Sequence, residues 1–230
     1  MRPHQKALVF LAVIAAVYIA AKTDIIPPDY NPLSVINLDD PPNLLTGTKL
    51  WLMEGNTAAC IAALKTSSAQ FKIVPPHTQT FQPGCELADT VIVSKFSRAT
   101  IAPEEMRCDV ALRLYLLERH DIQPLARRHF GKDVSELLDF GSYSCRNIHG
   151  SRRLSEHATA NAYDLAGLKL AGGKTVTLKQ GWNGDAASRA FLRSLRIRSC
   201  LLFNMVLSPD YNADHADHFH FDMGLWRGCN

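Results

Sequence analysis

The sequence predicts an α+β domain of about 200 residues, a small antiparallel sheet with helices packed around it, behind an N-terminal export segment. Three observations carry that expectation. Helical apolar spacing dominates the first half of the folded region, strand-like alternation appears in the second, and no internal repeat or low-complexity segment interrupts either. The composition agrees. The 230 residues are 47% hydrophobic and 20% charged, which excludes wholesale disorder, collagen and a polytopic membrane protein. With 25 Lys+Arg against 22 Asp+Glu and no basic run, nothing concentrates a field suited to nucleic acid.

In chain order, Arg2 and Lys6 precede an uncharged apolar stretch over residues 7–21, the pattern of an export signal. As a helix this stretch is about 22 Å long, which suits a cleaved signal peptide. The poor small-residue site Ile19-Ala20-Ala21 suits retention, and a retained inner-membrane anchor over 1–22 is the expectation. The positive start leaves residues beyond Lys22 outside the cytoplasm, in the periplasm. Residues 23–47, with Pro27, Pro28, Pro32, Pro41 and Pro42, are expected as an extended tether, and 48–230 as the domain.

Within the domain, Ala59, Ala62 and Ala63 suit a short helix from Asn56 to Lys65, and residues 72–84 a polar connection. Thr90 to Val93 is β-branched and strand-like. Pro103-Glu104-Glu105 is expected to start a helix to about Glu118, with Met106, Val110, Leu114 and Leu117 on one stripe. A short helix over Leu125 to Phe130 ends at Gly131, another spans Asp185 to Leu195, and Leu201 to Leu207 suits a buried strand.

Cys60, Cys85, Cys108, Cys145, Cys200 and Cys229 form no C-x-x-C pair, so a zinc ribbon or thioredoxin-type site is not expected. In an oxidising compartment six cysteines suit three disulfides, of which sequence leaves about 15 connectivities. Pairing nearest neighbours gives Cys60–Cys85, Cys108–Cys145 and Cys200–Cys229.

The chemistry concentrates in two segments, Ser155 to Leu165 and His215 to Asp222. In His218-Phe219-His220-Phe221-Asp222-Met223 polar and apolar residues alternate, which on a strand puts His218, His220 and Asp222 on one face and the apolar residues in the core. A strand through Asn161 to Ala166 places Ala162 and Asp164 together, and a turn returns His157 to them. One His and one Asp beside a His-x-His pair can build a site for zinc, which accepts imidazole nitrogen and carboxylate oxygen. Two neutral imidazoles and one carboxylate leave a dication with a net charge of about +1, enough to acidify a water. Asp222 is expected to hold a histidine ring or a turn, Asp214 and His215 to be polar loop. Tyr143 and Trp182 suit packing, and Arg127, Arg128, His129, Lys132, Arg193, Arg196 and Arg198 solvated helix faces.

Ser155-x-His157-x-x-Ala160-x-Ala162-x-Asp164 resembles the S-x-H-x-x-G-x-A-x-D motif of the zinc D-Ala-D-Ala peptidases, with Ala160 at the usual glycine. Asp217-His218-Phe219-His220 resembles their closing motif and the H-x-H of the wider lysostaphin/D-Ala-D-Ala metallopeptidase group. The chain is also similar, from about Pro28 to the C-terminus, to the bacterial extensin-like C-terminal family. Ser142-Tyr143-Ser144-Cys145-Arg146, Ser155-Glu156-His157-Ala158, Val206-Leu207-Ser208-Pro209 and Asp217 to Asp222 carry that similarity.

The resemblance implies a D-Ala-D-Ala-peptidase-like core with one Zn2+ per chain on His157, Asp164 and His220. It implies Asp217 as general base, where many of the peptidases hold Glu, and His218 beside the metal steadying the transition state. Arg146 corresponds loosely to an arginine that contacts substrate. Together with export, these implications give the expectation of a zinc hydrolase acting on peptidoglycan, first a D,D-endopeptidase of cross-links. A D,D-carboxypeptidase and a metal-containing wall-binding or scaffold protein without turnover are the alternatives. Peptidoglycan and the inner membrane are the expected partners, and nucleic acid is not.

Overall fold

The computed structural model describes residues 2–23, 25–78 and 82–230. Its elements run α1 (Pro3–Lys22), α2 (Thr46–Met53), α3 (Thr57–Leu64), β1 (Gln70–Ile73), β2 (His77–Thr78), β3 (Glu86–Leu87), β4 (Thr90–Lys95), β5 (Thr100–Arg107), α4 (Cys108–Leu117), α5 (Gln123–Phe130) and β6 (Val134–Gly141). They continue with β7 (Ala162–Leu170), β8 (Thr175–Thr177), α6 (Leu178–Gly181), α7 (Ala186–Ser199), β9 (Met205–Leu207), β10 (Phe219–Asp222) and β11 (Gly228–Cys229). The class is α+β as expected, but the sheet is neither small nor wholly antiparallel. Nine strands join in the order β1-β4-β5-β6-β7-β10-β9-β11, with β8 on β7, and the β5–β6 and β9–β11 pairs are parallel.

The amphipathic pattern explains the core. Val110 to Leu117 of α4 are all buried, and the helix packs on β4, β5 and α3. On β10 the alternation holds: Phe219, Phe221 and Met223 are buried among Trp182, Phe203 and Val206. Phe221 stacks on Phe203 at 4.9 Å, and Phe219 meets Trp182 edge-on at 5.6 Å. Each buried phenylalanine contributes about 1.5–3 kcal/mol and pins the strand's register, which fixes where His220 and Asp222 fall.

Helix α3, helix α5 with its left-handed cap at Gly131, and helix α7 with Asp185 capping Ala187 and Ser188 follow the expected positions. Several expectations need correction. Pro103, Glu104 and Glu105 belong to strand β5, and the helix begins only at Cys108. Leu201–Leu207 is a strand only over Met205–Leu207, because a turn follows α7. The expected connection over 72–84 contains the end of β1 and all of β2, while residues 79–81 lie outside the described residues.

Nor is the Pro-rich stretch extended throughout. Ile36 and Leu38 are buried in the core, the Asn31 amide donates to the Ala21 carbonyl (2.7 Å), and the buried Lys49 ammonium donates to Pro28 O (2.8 Å) and Ser34 Oγ (2.9 Å). Apolar residues spaced through the prolines are the physical reason. Helix α1 has 20 residues because the polar residues at its start wind into the same helix, so its length of about 30 Å suffices to cross a membrane.

Three disulfides cross-link the domain, which points to an oxidising compartment. Cys200–Cys229 forms as expected. The other two pairs are Cys60–Cys108 and Cys85–Cys145, in place of Cys60–Cys85 and Cys108–Cys145. Packing of α3 on α4 decides the first pair, so proximity along the chain is overruled by proximity across the core.

Candidate metal centre

The centre grows from a single turn and two strands. Ser155 caps the turn Glu156–Thr159, its Oγ accepting the His157 N–H at 3.3 Å. Ala160 closes the turn in the left-handed region, φ +53°, with its methyl buried. Glycine reaches that conformation without cost, whereas an alanine here carries some backbone strain. Strand β7 follows, and Asp164 is the direct cross-strand partner of His220 on β10, with Ala162 opposite Asp222.

His157, Asp164 and His220 are all buried, and one ligand atom from each lies within 4.8 Å of the other two. Their outer partners settle the tautomers. The Ser142 carbonyl can only accept, so His157 Nδ1 donates to it (2.8 Å) and Nε2 faces inward with a lone pair. His220 Nε2 donates to the Asp222 carboxylate (3.0 Å), which turns Nδ1 inward. His157 Nε2 and His220 Nδ1 are 3.1 Å apart, and Asp164 places Oδ2 3.1 Å from the former and Oδ1 2.9 Å from the latter.

Three acceptors therefore converge with no donor among them, an arrangement that only a shared cation, proton or metal, makes favourable. Without a metal, a proton on His220 does this. Burial pushes its imidazolium down, but hydrogen bonds to Asp164 and Asp222 outweigh burial and lift it to about 9. Burial likewise raises the Asp164 carboxyl, yet its contacts with the His157 and His220 imidazoles hold it well below the usual range.

His218 stands beside the cluster. Its Nδ1 donates to Asp217 Oδ1 (3.0 Å), and its Nε2 lies 3.6 Å from Asp164 Oδ2. The His215 ring sits 5.3 Å from His218 and 5.8 Å from His220, and burial, followed by the neighbouring His220, lowers it to about 4. Asp164, His218, His220 and Asp222 open into a groove of about 700 Å³ whose walls include Arg146 and Trp226.

The family model for the extensin-like protein C-terminus matches residues 58–230, which hold every element of this centre. The chain belongs to that family. No curated protein and no solved structure matches it.

Within the extensin-like domain the structure brings together His157, Asp164, His220 and His218, as the sequence analysis anticipated. Asp217 contacts His218 and reaches none of the three clustered residues through a hydrogen bond. Arg146 lines the groove apart from the cluster. Asp222 holds both the His220 ring and the Gly224 N–H (2.8 Å). Tyr143 donates to the Cys85 carbonyl and Trp182 lies in the core, so both are packing residues. Arg127 pairs with Asp133, Arg193 with Asp210, and Arg198 with Asp121.

His215 lies on the turn Ala213–His215, bonded to Asn212 and outside the cluster, as a polar loop residue should. Sequence reasoning missed the Ser142 carbonyl, because a backbone acceptor carries no mark in the sequence.

Proposed function

We propose that this chain is an exported zinc metallopeptidase that hydrolyses the peptides of peptidoglycan, first as a D,D-endopeptidase of cross-links. The observation that carries the reading is the convergence of two imidazole lone pairs and a carboxylate, with no donor, beside an open groove that Asp164 and His220 line. His157 Nε2, His220 Nδ1 and Asp164 fit zinc in donor type and leave a position for water, while Ser142 and Asp222 orient the two rings. When bound, zinc supplies Lewis acidity and lowers the pKa of a water.

The chain's own groups supply the rest. His218, held by Asp217, stands where it can take a proton from the attacking water and return it to the leaving amine. Asp217 fixes the tautomer that leaves Nε2 free for this task, as a carboxylate does for a triad histidine. Arg146 lines the groove wall, and in this reading it holds a substrate carbonyl or carboxylate. The motif resemblance to the D-Ala-D-Ala peptidases supports the reaction class. The apolar helix α1 and the three disulfides support a periplasmic domain attached to the inner membrane.

The test is digestion of purified sacculi and defined muropeptides by the full chain in neutral detergent with zinc, products being weighed by mass spectrometry. Conversion of cross-linked dimers to monomers, absent with chelator or in His220→Ala, is the expected result. Loss of only a terminal D-alanine would make it a carboxypeptidase. Zinc bound one per chain with no cleavage would leave a wall-binding protein.

A further inference from the structure

The loop from Ser142 to Ser155 contains Arg146, His149, Arg152 and Arg153 and no Asp or Glu. It forms one wall of the groove as a short hairpin, with a bridge between Asn147 and Leu154 and the Ile148 N–H donating to the Arg153 carbonyl (2.9 Å). The Arg153 backbone is thus fixed, while its side chain is exposed and its guanidinium carbon lies 5.8 Å from the centre of the Trp226 ring. Trp226 is itself 65% exposed, so this pair forms an open lip on the groove.

The Asp and Glu side chains that line the groove are all engaged. Asp164 serves His157 and His220, Asp222 serves His220 and Gly224, Asp214 pairs with His149 (2.8 Å), and Glu156 accepts from the Asn161 amide (2.6 Å). Among the described residues, neither Arg146 nor Arg153 has a carboxylate within ion-pair distance. Asp214 feels Arg146 only at longer range. The groove therefore presents unneutralised guanidinium on the wall where its own acids are satisfied. Guanidinium matches a carboxylate through two parallel hydrogen bonds, and an aromatic face beneath it holds the plane in place.

We propose that Arg153, seated over Trp226, is a specificity residue that reads a free carboxylate on a peptide substrate, separately from the atoms that react. The proposal rests on the groove being the substrate groove of the function proposed above, and it deepens that reading by naming an acidic peptide as the preferred ligand.

The test is calorimetric titration of the chelated full chain in neutral detergent, so that nothing turns over. The probes are L-Ala-γ-D-Glu-L-Lys-D-Ala-D-Ala with an amidated C-terminus and its twin in which the D-Glu α-carboxylate is also an amide. The acidic peptide should bind roughly 10–100-fold more tightly, the size expected of a charge-assisted pair. Arg153→Gln should erase that ratio without changing affinity for the amide, Arg153→Lys should keep part of it, and Trp226→Ala should reduce it. Equal affinities, an Arg153→Gln loss shared by both peptides, displacement by millimolar inorganic phosphate as effective as by the peptide, or no binding at all would each overturn the proposal. A zinc-loaded digest run in parallel separates the two claims. Discrimination without cleavage removes the peptidase and leaves the subsite, and cleavage without discrimination does the reverse.

Discussion

Replacing Asp222 by Asn tests the donor logic of the centre with one atom. The Gly224 N–H donates to Asp222 Oδ1, so an amide must keep its oxygen there and turn its NH2 toward His220 Nε2. That NH2 cannot accept a proton, and His220 moves its own proton to Nδ1, where it satisfies Asp164 and blocks the inward lone pair. Loss of such an orienting partner costs about 10–100-fold in metal affinity, or about 1.4–2.7 kcal/mol. Because zinc bound to the native state adds its binding energy to stability, the same amount leaves the zinc-dependent part of the unfolding free energy. For a domain of this size the rise in Tm on adding zinc should shrink by about 3–10 °C. Differential scanning calorimetry of wild type and Asp222→Asn, each with zinc and with chelator, isolates that increment from any change in the metal-free protein. An increment unchanged by the substitution would refute the tautomer argument, and with it the assignment of Nδ1 as the ligand atom.

Three further outcomes are expected. In chelated protein the pKa of His220, raised to about 9 in the fold against roughly 6.5 unfolded, stabilises fully below pH 6.5 and is lost as pH rises through 9, on the order of 3 kcal/mol. Urea unfolding at pH 6, 8 and 10 should show this decline, and His220→Gln should flatten it. Opening Cys85–Cys145 by paired alanine substitutions removes a cross-link spanning 60 residues and should cost about 4 kcal/mol. It should also weaken zinc binding in a competition assay, since Cys145 sits three residues from the Ser142 carbonyl that orients His157. Ala160→Gly should change stability by less than about 1 kcal/mol, relief at φ +53° offsetting lost burial, whereas Ala160→Val should cost about 3 kcal/mol or more by chemical denaturation.

What was legible in the sequence was local. Alternation from His218 to Met223 is a property of six adjacent residues, and the strand, its face and its core side chains followed from it. The Asp185 cap and the Gly131 stop are likewise written in single positions. Pro103-Glu104-Glu105 misled because its helix-start chemistry is satisfied by distant partners. Glu104 accepts the Ser142 N–H (2.7 Å), Glu105 accepts from Thr90 Oγ1 (2.5 Å), and Pro103 falls where the β4–β5 ladder shifts register and asks for no donor. The expected partner of Cys60 failed for the same reason, because α3 meets α4 across the core, while the expected Cys200–Cys229 pair formed. In the centre, the meeting of His157, Asp164 and His220 was expected from the sequence. The donor–acceptor balance that makes the three residues one site depends on Ser142 and Asp222 contacts that exist only after folding.

The folding of the Pro-rich stretch onto the domain sets a working radius. Between the end of α1 at Lys22 and the first core anchor at Ile36 lie residues 23–35, a contour of roughly 45 Å at full stretch. The Asn31–Ala21 hydrogen bond takes up much of that slack. A chain inserted through α1 would keep its groove within a shallow shell above the bilayer.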